Sequence, residues 1–207
     1  AEGRNYHDIH FIRNPLHFIA PQAYPPLVPL VFAPVYHFFG LDLTAMKLAQ
    51  LASFSLSLIV IGRLFGRSLS TVCVLAVIAL FTLNPFVWNQ KDVIQSEYLF
   101  LLFSFLCLLL MDLRYSREVK GNAVGFGLLL GLTMYLSYAT REVGIVLPLT
   151  LVCYEIVVLR RLTGTALSAV AVFLLLVWLQ KNIMVPEQFY PALYEQLSAL
   201  AAGEGKK

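Results

Sequence analysis

The sequence predicts an all-α fold: a polytopic transmembrane helical bundle of about six spans, with juxtamembrane and interfacial helices. Three observations predict it. The 207 residues are 59% hydrophobic and 13% charged, with a mean hydropathy of +0.76, whereas soluble domains carry about 25% charged residues. A soluble fold of this size has too little interior for so much apolar side chain, so lipid is the solvent for much of the chain. Apolar runs near the roughly 20 residues needed to cross a bilayer recur between short polar connections, and the basic residues collect in alternate connections.

Residues 1–42 are read as an outer loop and a proline-rich juxtamembrane segment. The first part is polar and aromatic, with Arg4, His7, Asp8, His10, Arg13 and His17, and belongs in water or at the headgroups. The chain opens on Ala1 without a signal peptide, and we read it as part of a longer protein. Residues 24–40 are apolar but carry Pro25, Pro26, Pro29 and Pro34. Each removes a backbone donor, which lipid does not tolerate, so this stretch is expected to lie along one membrane face rather than to cross. Residues 43–181 form the bundle, with spans at 43–61, 69–87, 93–113, 123–138, 144–159 and 166–180. Residues 182–207 are a second outer loop. Phe189, Leu193, Leu197 and Leu200 recur there at helical spacing, as a short interfacial helix requires.

The connections predict the orientation. Arg63 and Arg67, then Arg114, Arg117 and Lys120, then Arg160 and Arg161 occupy the first, third and fifth connections. The alternate ones hold only Lys91 and Arg141, each beside an acid, Asp92 or Glu142. The positive-inside rule places the first set in the cytoplasm. Trp88 and Trp178 then fall at outer ends, as aromatic-belt residues do.

Several classes are excluded. The net charge is only +3, and no basic block with interleaved aromatics points to nucleic acid. Cys73, Cys107 and Cys153 lack metal-ligand spacing and read as small apolar residues. The glycines of 62–66 lack the lysine and strand of a phosphate loop, and no G-x-S-x-G nucleophile motif occurs. A transporter would bury ionisable residues at mid-membrane, where these spans carry almost none. The polar clusters outside the basic connections are expected at the outer surface.

Glu97, in the run Lys91-Asp92-Val93-Ile94-Gln95-Ser96-Glu97, lies about one turn inside an outer span end. Its plainer reading is a carboxylate snorkelling outward at the positive end of a helix dipole. Its functional reading is that Glu97 and Asp92 face an outer-leaflet cavity and hold a cationic group, an acceptor hydroxyl or a metal. Arg141 is either a surface partner of Glu142, worth at most about 1 kcal/mol, or a planar fork for a phosphate. Lys91 offers the same as a point charge.

The order of these motifs resembles the GT-C glycosyltransferases, which include protein O-mannosyltransferases, the aminoarabinose transferase of lipid A and mannosyltransferase-like bacterial proteins. Tyr24-Pro25-Pro26-Leu27 with Phe39-Gly40 is similar to the family's juxtamembrane segment, and Gly62-Arg63-Leu64-Phe65-Gly66-Arg67 to its first cytoplasmic turn. Asn84-Pro85 followed by Ser96-Glu97 resembles the outer loop entering an S-E-x-x-F helix. Thr140-Arg141 with Gly144 resembles the R-x-x-G region, and Trp178 with Lys181-Asn182 a W-x-x-R-N ending.

The resemblance implies an inverting transfer of a sugar from a polyprenyl-phosphate donor to a protein, lipid or glycan acceptor, without a cofactor. The family's base lies in a D-x-x-x-Y pattern, which here places Glu2 and Tyr6 at its two ends. Glutamate replaces aspartate, so Asp8 or an aspartate upstream of Ala1 is an alternative base. The expected catalytic residues are therefore Glu2, Asp8 and Glu97, and the substrate-binding ones Tyr6, Tyr24, Lys91, Asp92 and Arg141. The alternative function is a non-catalytic membrane lipid-binding or scaffold subunit, or a transporter fragment. The membrane is expected to be a bacterial inner membrane with a periplasmic active face, or the endoplasmic reticulum.

Overall fold

The computed structural model describes residues 26–85, 87, 95–116 and 122–184. These residues are helical, with no strand among them. Seven helical elements cover them: α1 (Leu27–Phe39), α2 (Leu43–Phe65), α3 (Thr71–Leu83), α4 (Glu97–Tyr115), α5 (Ala123–Thr140), α6 (Glu142–Leu159) and α7 (Gly164–Met184). By contacts the chain groups into two compact units. One is residues 25–174; the other joins 1–24 to 175–207, of which only 175–184, the end of α7, are described.

Five helices, α2, α4, α5, α6 and α7, are long and apolar enough to cross a membrane. The chain is thus read as a multi-pass membrane protein. Large apolar side chains such as Val72, Leu80 and Leu167 stand in the open, which suits a lipid solvent and not water. The starts of the helices follow from short polar residues. Asp42 accepts from the Thr44 N–H at 2.8 Å, Ser70 from the Cys73 N–H at 3.5 Å, and Asn122 from the Val124 N–H at 3.0 Å. Each satisfies one donor that a helix N-terminus leaves open.

Two expectations are corrected. The span expected over 69–87 is not one continuous helix: its main part ends after the 13 residues Thr71–Leu83. Pro85 forces the preceding Asn84 into extended backbone (ψ 122°) and ends the helix. Within the proline-rich segment of 24–40 lies a short apolar helix, α1, which runs unbroken through Pro34. Pro29 falls in its first turn, where no donor is needed, and Gly40, at φ 66°, ends it in a conformation that favours glycine. At 13 residues, or about 20 Å, α1 is too short to cross. Second, α4 begins at Glu97, with Gln95 and Ser96 outside it. Glu97 is therefore the first helical residue and not one turn in. The expected interfacial helix after residue 186 and Trp88 lie outside the described residues.

α4 is sandwiched between α2 and α5, and α1 leans on α2 and α5. Of the five long helices α5 is the most enclosed, with 44% of its apolar window buried against 22–28% for the others. Its Gly127 and Gly131 face α7. A Cβ at Gly127 would lie 2.6 Å from the Thr165 carbonyl oxygen, and one at Gly131 would run into the Ala169 carbonyl. Where hydrophobicity gives no drive between helices, such small residues let backbones close to van der Waals contact. Across α4 and α5, Ser104 and Ser137 share a 2.9 Å hydrogen bond.

The polar residues collect at two opposite ends. At one, Arg67 pairs with Asp112 and donates to Ser116 at 2.8 Å, while Arg114 donates to Thr165 at 3.1 Å. Arg63, Arg160 and Arg161 follow from the same helix ends, so the basic connections among the described residues share one end. Here α6 widens into a π turn over Glu155–Leu159, closed by Arg160 in the left-handed region at φ 52°. Glu155, fully buried, accepts from the Tyr115 hydroxyl, from the Thr163 N–H at 2.6 Å and from the Thr163 hydroxyl at 2.5 Å.

Candidate functional site

At the opposite end, α4 starts, α5 stops and α6 begins. The carboxylate of Glu97 meets Arg141 there, Nη1 to Oε1 at 2.9 Å. The two are 44 residues apart in sequence. Both retain access to solvent, with side-chain exposures of 29% for Glu97 and 44% for Arg141. Standing first in α4, Glu97 gains from the positive end of the helix dipole. Arg141 has left the helix, in extended backbone at φ −151°, and only its own N–H still reaches back to the Ser137 carbonyl.

The pairing differs from the surface partner the sequence offered. Arg141 binds Glu97 and not Glu142, which continues into the single 3₁₀ turn Glu142–Ile145. One guanidinium N–H is used in this pair, leaving further donors of the fork available. Gly144 is close-packed: a Cβ there would lie 2.7 Å from the Ser137 carbonyl carbon, so the glycine brings the start of α6 against the end of α5.

The second carboxylate oxygen of Glu97, Oε2, is buried and has no hydrogen-bond partner. Beside it lies a cavity of about 240 Å³, whose walls include Phe81, Asn84, Glu97 and Phe100. Phe54, Val87 and Tyr98 are common to this cavity and to a larger one of about 440 Å³ between α2, α3 and α4. Tyr98 is held between them: its hydroxyl donates to the Val87 carbonyl at 3.0 Å, and its ring lies 5.2 Å from that of Phe54. Gln50 borders the larger cavity and donates through Nε2 to the Gln95 carbonyl at 2.7 Å.

Of the residues singled out by sequence, Glu97 and Arg141 are therefore brought together. Glu2, Tyr6, Asp8, Tyr24, Lys91 and Asp92 lie outside the described residues. Gln50 and Tyr98 were not anticipated. Gln50 had a legible signal, since an amide inside an apolar run is costly in lipid and calls for a partner. Among the described residues no three of His, Cys, Asp and Glu gather as metal ligands. In the last turn of α7, the Asn182 side chain donates to the Trp178 carbonyl at 3.0 Å. Comparison with protein-family models, with curated proteins and with solved structures gives no match.

Proposed function

We propose that the chain is the membrane part of a glycosyltransferase that moves a sugar from a polyprenyl-phosphate donor to an acceptor hydroxyl, with inversion, on the outer face. The observation that carries the reading is the convergence of Glu97 and Arg141 from separate helices, beside apolar-walled cavities and opposite the basic connections. Arg141 would hold the donor's phosphate through the N–H groups that Glu97 leaves free. Glu97 Oε2 is an acceptor in place for a donor or acceptor hydroxyl, with Glu2 or Asp8 as further carboxylates for the base. The motifs behind the GT-C resemblance support the reading: Asn84-Pro85, Ser96-Glu97 and Thr140-Arg141 lie at one end, Gly62–Arg67 at the other. The proposed setting is a bacterial inner membrane, with a periplasmic active face.

Two measurements test this. In active enzyme, Arg141→Ala is expected to lower turnover of the polyprenyl-phosphate sugar about 10- to 100-fold, as loss of a charge-assisted hydrogen bond does. Arg141→Lys keeps the charge without the fork and should fall between the two. Wild-type donor affinity and turnover in Arg141→Ala would reduce Arg141 to a structural partner of Glu97. A lipid-binding subunit without transfer activity is the second reading, favoured by the apolar walls of both cavities; donor binding without turnover would support it.

Orientation is tested with an impermeant thiol reagent on a chain lacking Cys73, Cys107 and Cys153. Gln90→Cys and Glu142→Cys are expected to react from outside, and Phe65→Cys and Arg117→Cys only after permeabilisation. The reverse pattern would place the Glu97 end in the cytoplasm.

A further inference from the structure

Glu97 owes its place to the first turn of α4, and that turn is not closed by its own residues. Ser96 stands at the N-cap with helical backbone and no side-chain hydrogen bond to the turn. Asp42, Ser70 and Asn122, by contrast, each cap the helix they begin. An end without such a cap leaves backbone donors open, and helices fray from there. Glu97, first in the helix, is the residue that fraying releases first. Its side chain keeps contact with solvent, so burial does not hold it either.

The hold comes from α2. Gln50, 3% exposed, donates through Nε2 to the Gln95 carbonyl at 2.7 Å. On the other side of Glu97, the Tyr98 hydroxyl donates to the Val87 carbonyl and its ring packs on Phe54 of α2. Glu97 is thus bracketed by two tied residues, and among the described residues Gln50 supplies the tie that precedes it. About two turns further along α4, on the same face as Glu97, Ser104 bonds to Ser137 of α5. That bond sets which face of α4 meets α5. An amide in an apolar run is a poor choice for stability alone; here it fixes one carbonyl.

We propose that Gln50 is a positioning residue: by holding the Gln95 carbonyl it fixes the start of α4, so that the Glu97 carboxylate meets Arg141. Ser104 and Ser137 set the rotation of the helix, and Gln50 sets where it begins. Without the amide, Tyr98 stays tied while residues 95–97 come loose, and the carboxylate leaves the guanidinium. The geometric part of this inference stands alone; its part in catalysis rests on the transfer reading above.

The test is a cross-linking rate, read by mass spectrometry on the full chain lacking Cys73, Cys107 and Cys153, in phosphatidylcholine nanodiscs. A short thiol-to-thiol reagent is applied to Glu97→Cys/Arg141→Cys, and to Arg67→Cys/Ser116→Cys as the control pair at the other end of α2 and α4. With Gln50 in place, both pairs are expected to join. Gln50→Met keeps the length without the donor. It should slow the 97/141 pair about fivefold, the population change that one lost hydrogen bond gives, and leave the 67/116 pair within about twofold. A merely structural role would lower the thermal midpoint and slow both pairs alike, which overturns the proposal, as does an unchanged 97/141 rate. If Gln50→Met does not fold, Gln50→Asn, whose amide is one methylene too short, decides by the same comparison. Failure of 97/141 to join even with Gln50 present would overturn the convergence itself. The transfer reading is judged separately, by the turnover of Arg141→Ala.

Discussion

Glu155→Ala is expected to be the most damaging single substitution in the described part of the chain. Glu155 has no exposed surface and gathers three donors, two from Thr163 and one from Tyr115, tying α4 to the turn between α6 and α7. Alanine leaves all three donors without this acceptor, in a part-buried site. At about 1–3 kcal/mol for each stranded group, discounted for partial relaxation, the loss is on the order of 3–5 kcal/mol. The measurement is the thermal midpoint and the monodisperse yield in detergent. Glu155→Gln keeps the shape and one good acceptor, so it should recover part of the loss. Tyr115→Phe removes a single donor and should cost about 1 kcal/mol. In the double variant Glu155→Ala/Tyr115→Phe the two effects should not add, because the tyrosine no longer strands a hydroxyl. Strict additivity, or an Ala variant as stable as wild type, would show that the network contributes nothing.

Gly131→Val is the second large effect. The side chain would enter the space held by the Ala169 carbonyl and Val172 Cβ, the latter 3.0 Å from the first atom it adds. Neither partner is the tip of a flexible side chain, so α5 and α7 must separate. Overpacking of this kind costs about 1–3 kcal/mol. The movement would also open the edge-on contact of Tyr138 with Phe173, now 5.7 Å between ring centres. Gly125→Ala is the control on the same helix. Its new Cβ would meet nothing closer than 3.9 Å, and alanine favours helix over glycine by about 1 kcal/mol. The two variants should shift the midpoint in opposite directions; a shift of the same sign and size would remove close packing as the explanation.

The long helices were legible because run length and charge spacing decide them: α2, α5, α6 and α7 each cover the run that the apolar pattern marks, within a few residues. The end of α3 was readable in principle, since Asn84-Pro85 is a local signal, but the apolar residues Phe86 and Val87 beyond it concealed the break. Partnership was not legible. Glu155 looks like one acid at the end of an apolar run until Tyr115 and Thr163 are brought against it. Gln50 reads as one polar residue among many apolar ones until its carbonyl proves to have no donor. Arg141 could be weighed only against its neighbour in sequence, Glu142, whereas its partner Glu97 is supplied by the packing of α4 on α5. Motif spacing says which end of the bundle a residue occupies; which residue it meets there depends on helix rotation, which the low amphipathicity of these spans leaves unmarked.

The shortness of α3 has a consequence for the membrane itself. Its 13 residues extend about 20 Å, against a hydrocarbon thickness of about 30 Å. The bilayer meets such a mismatch by thinning beside the helix, at a fraction of a kcal/mol per Å. A bilayer crossed at α3 would therefore be compressed beside it, with lipid polar groups riding deeper there than beside α2 or α4.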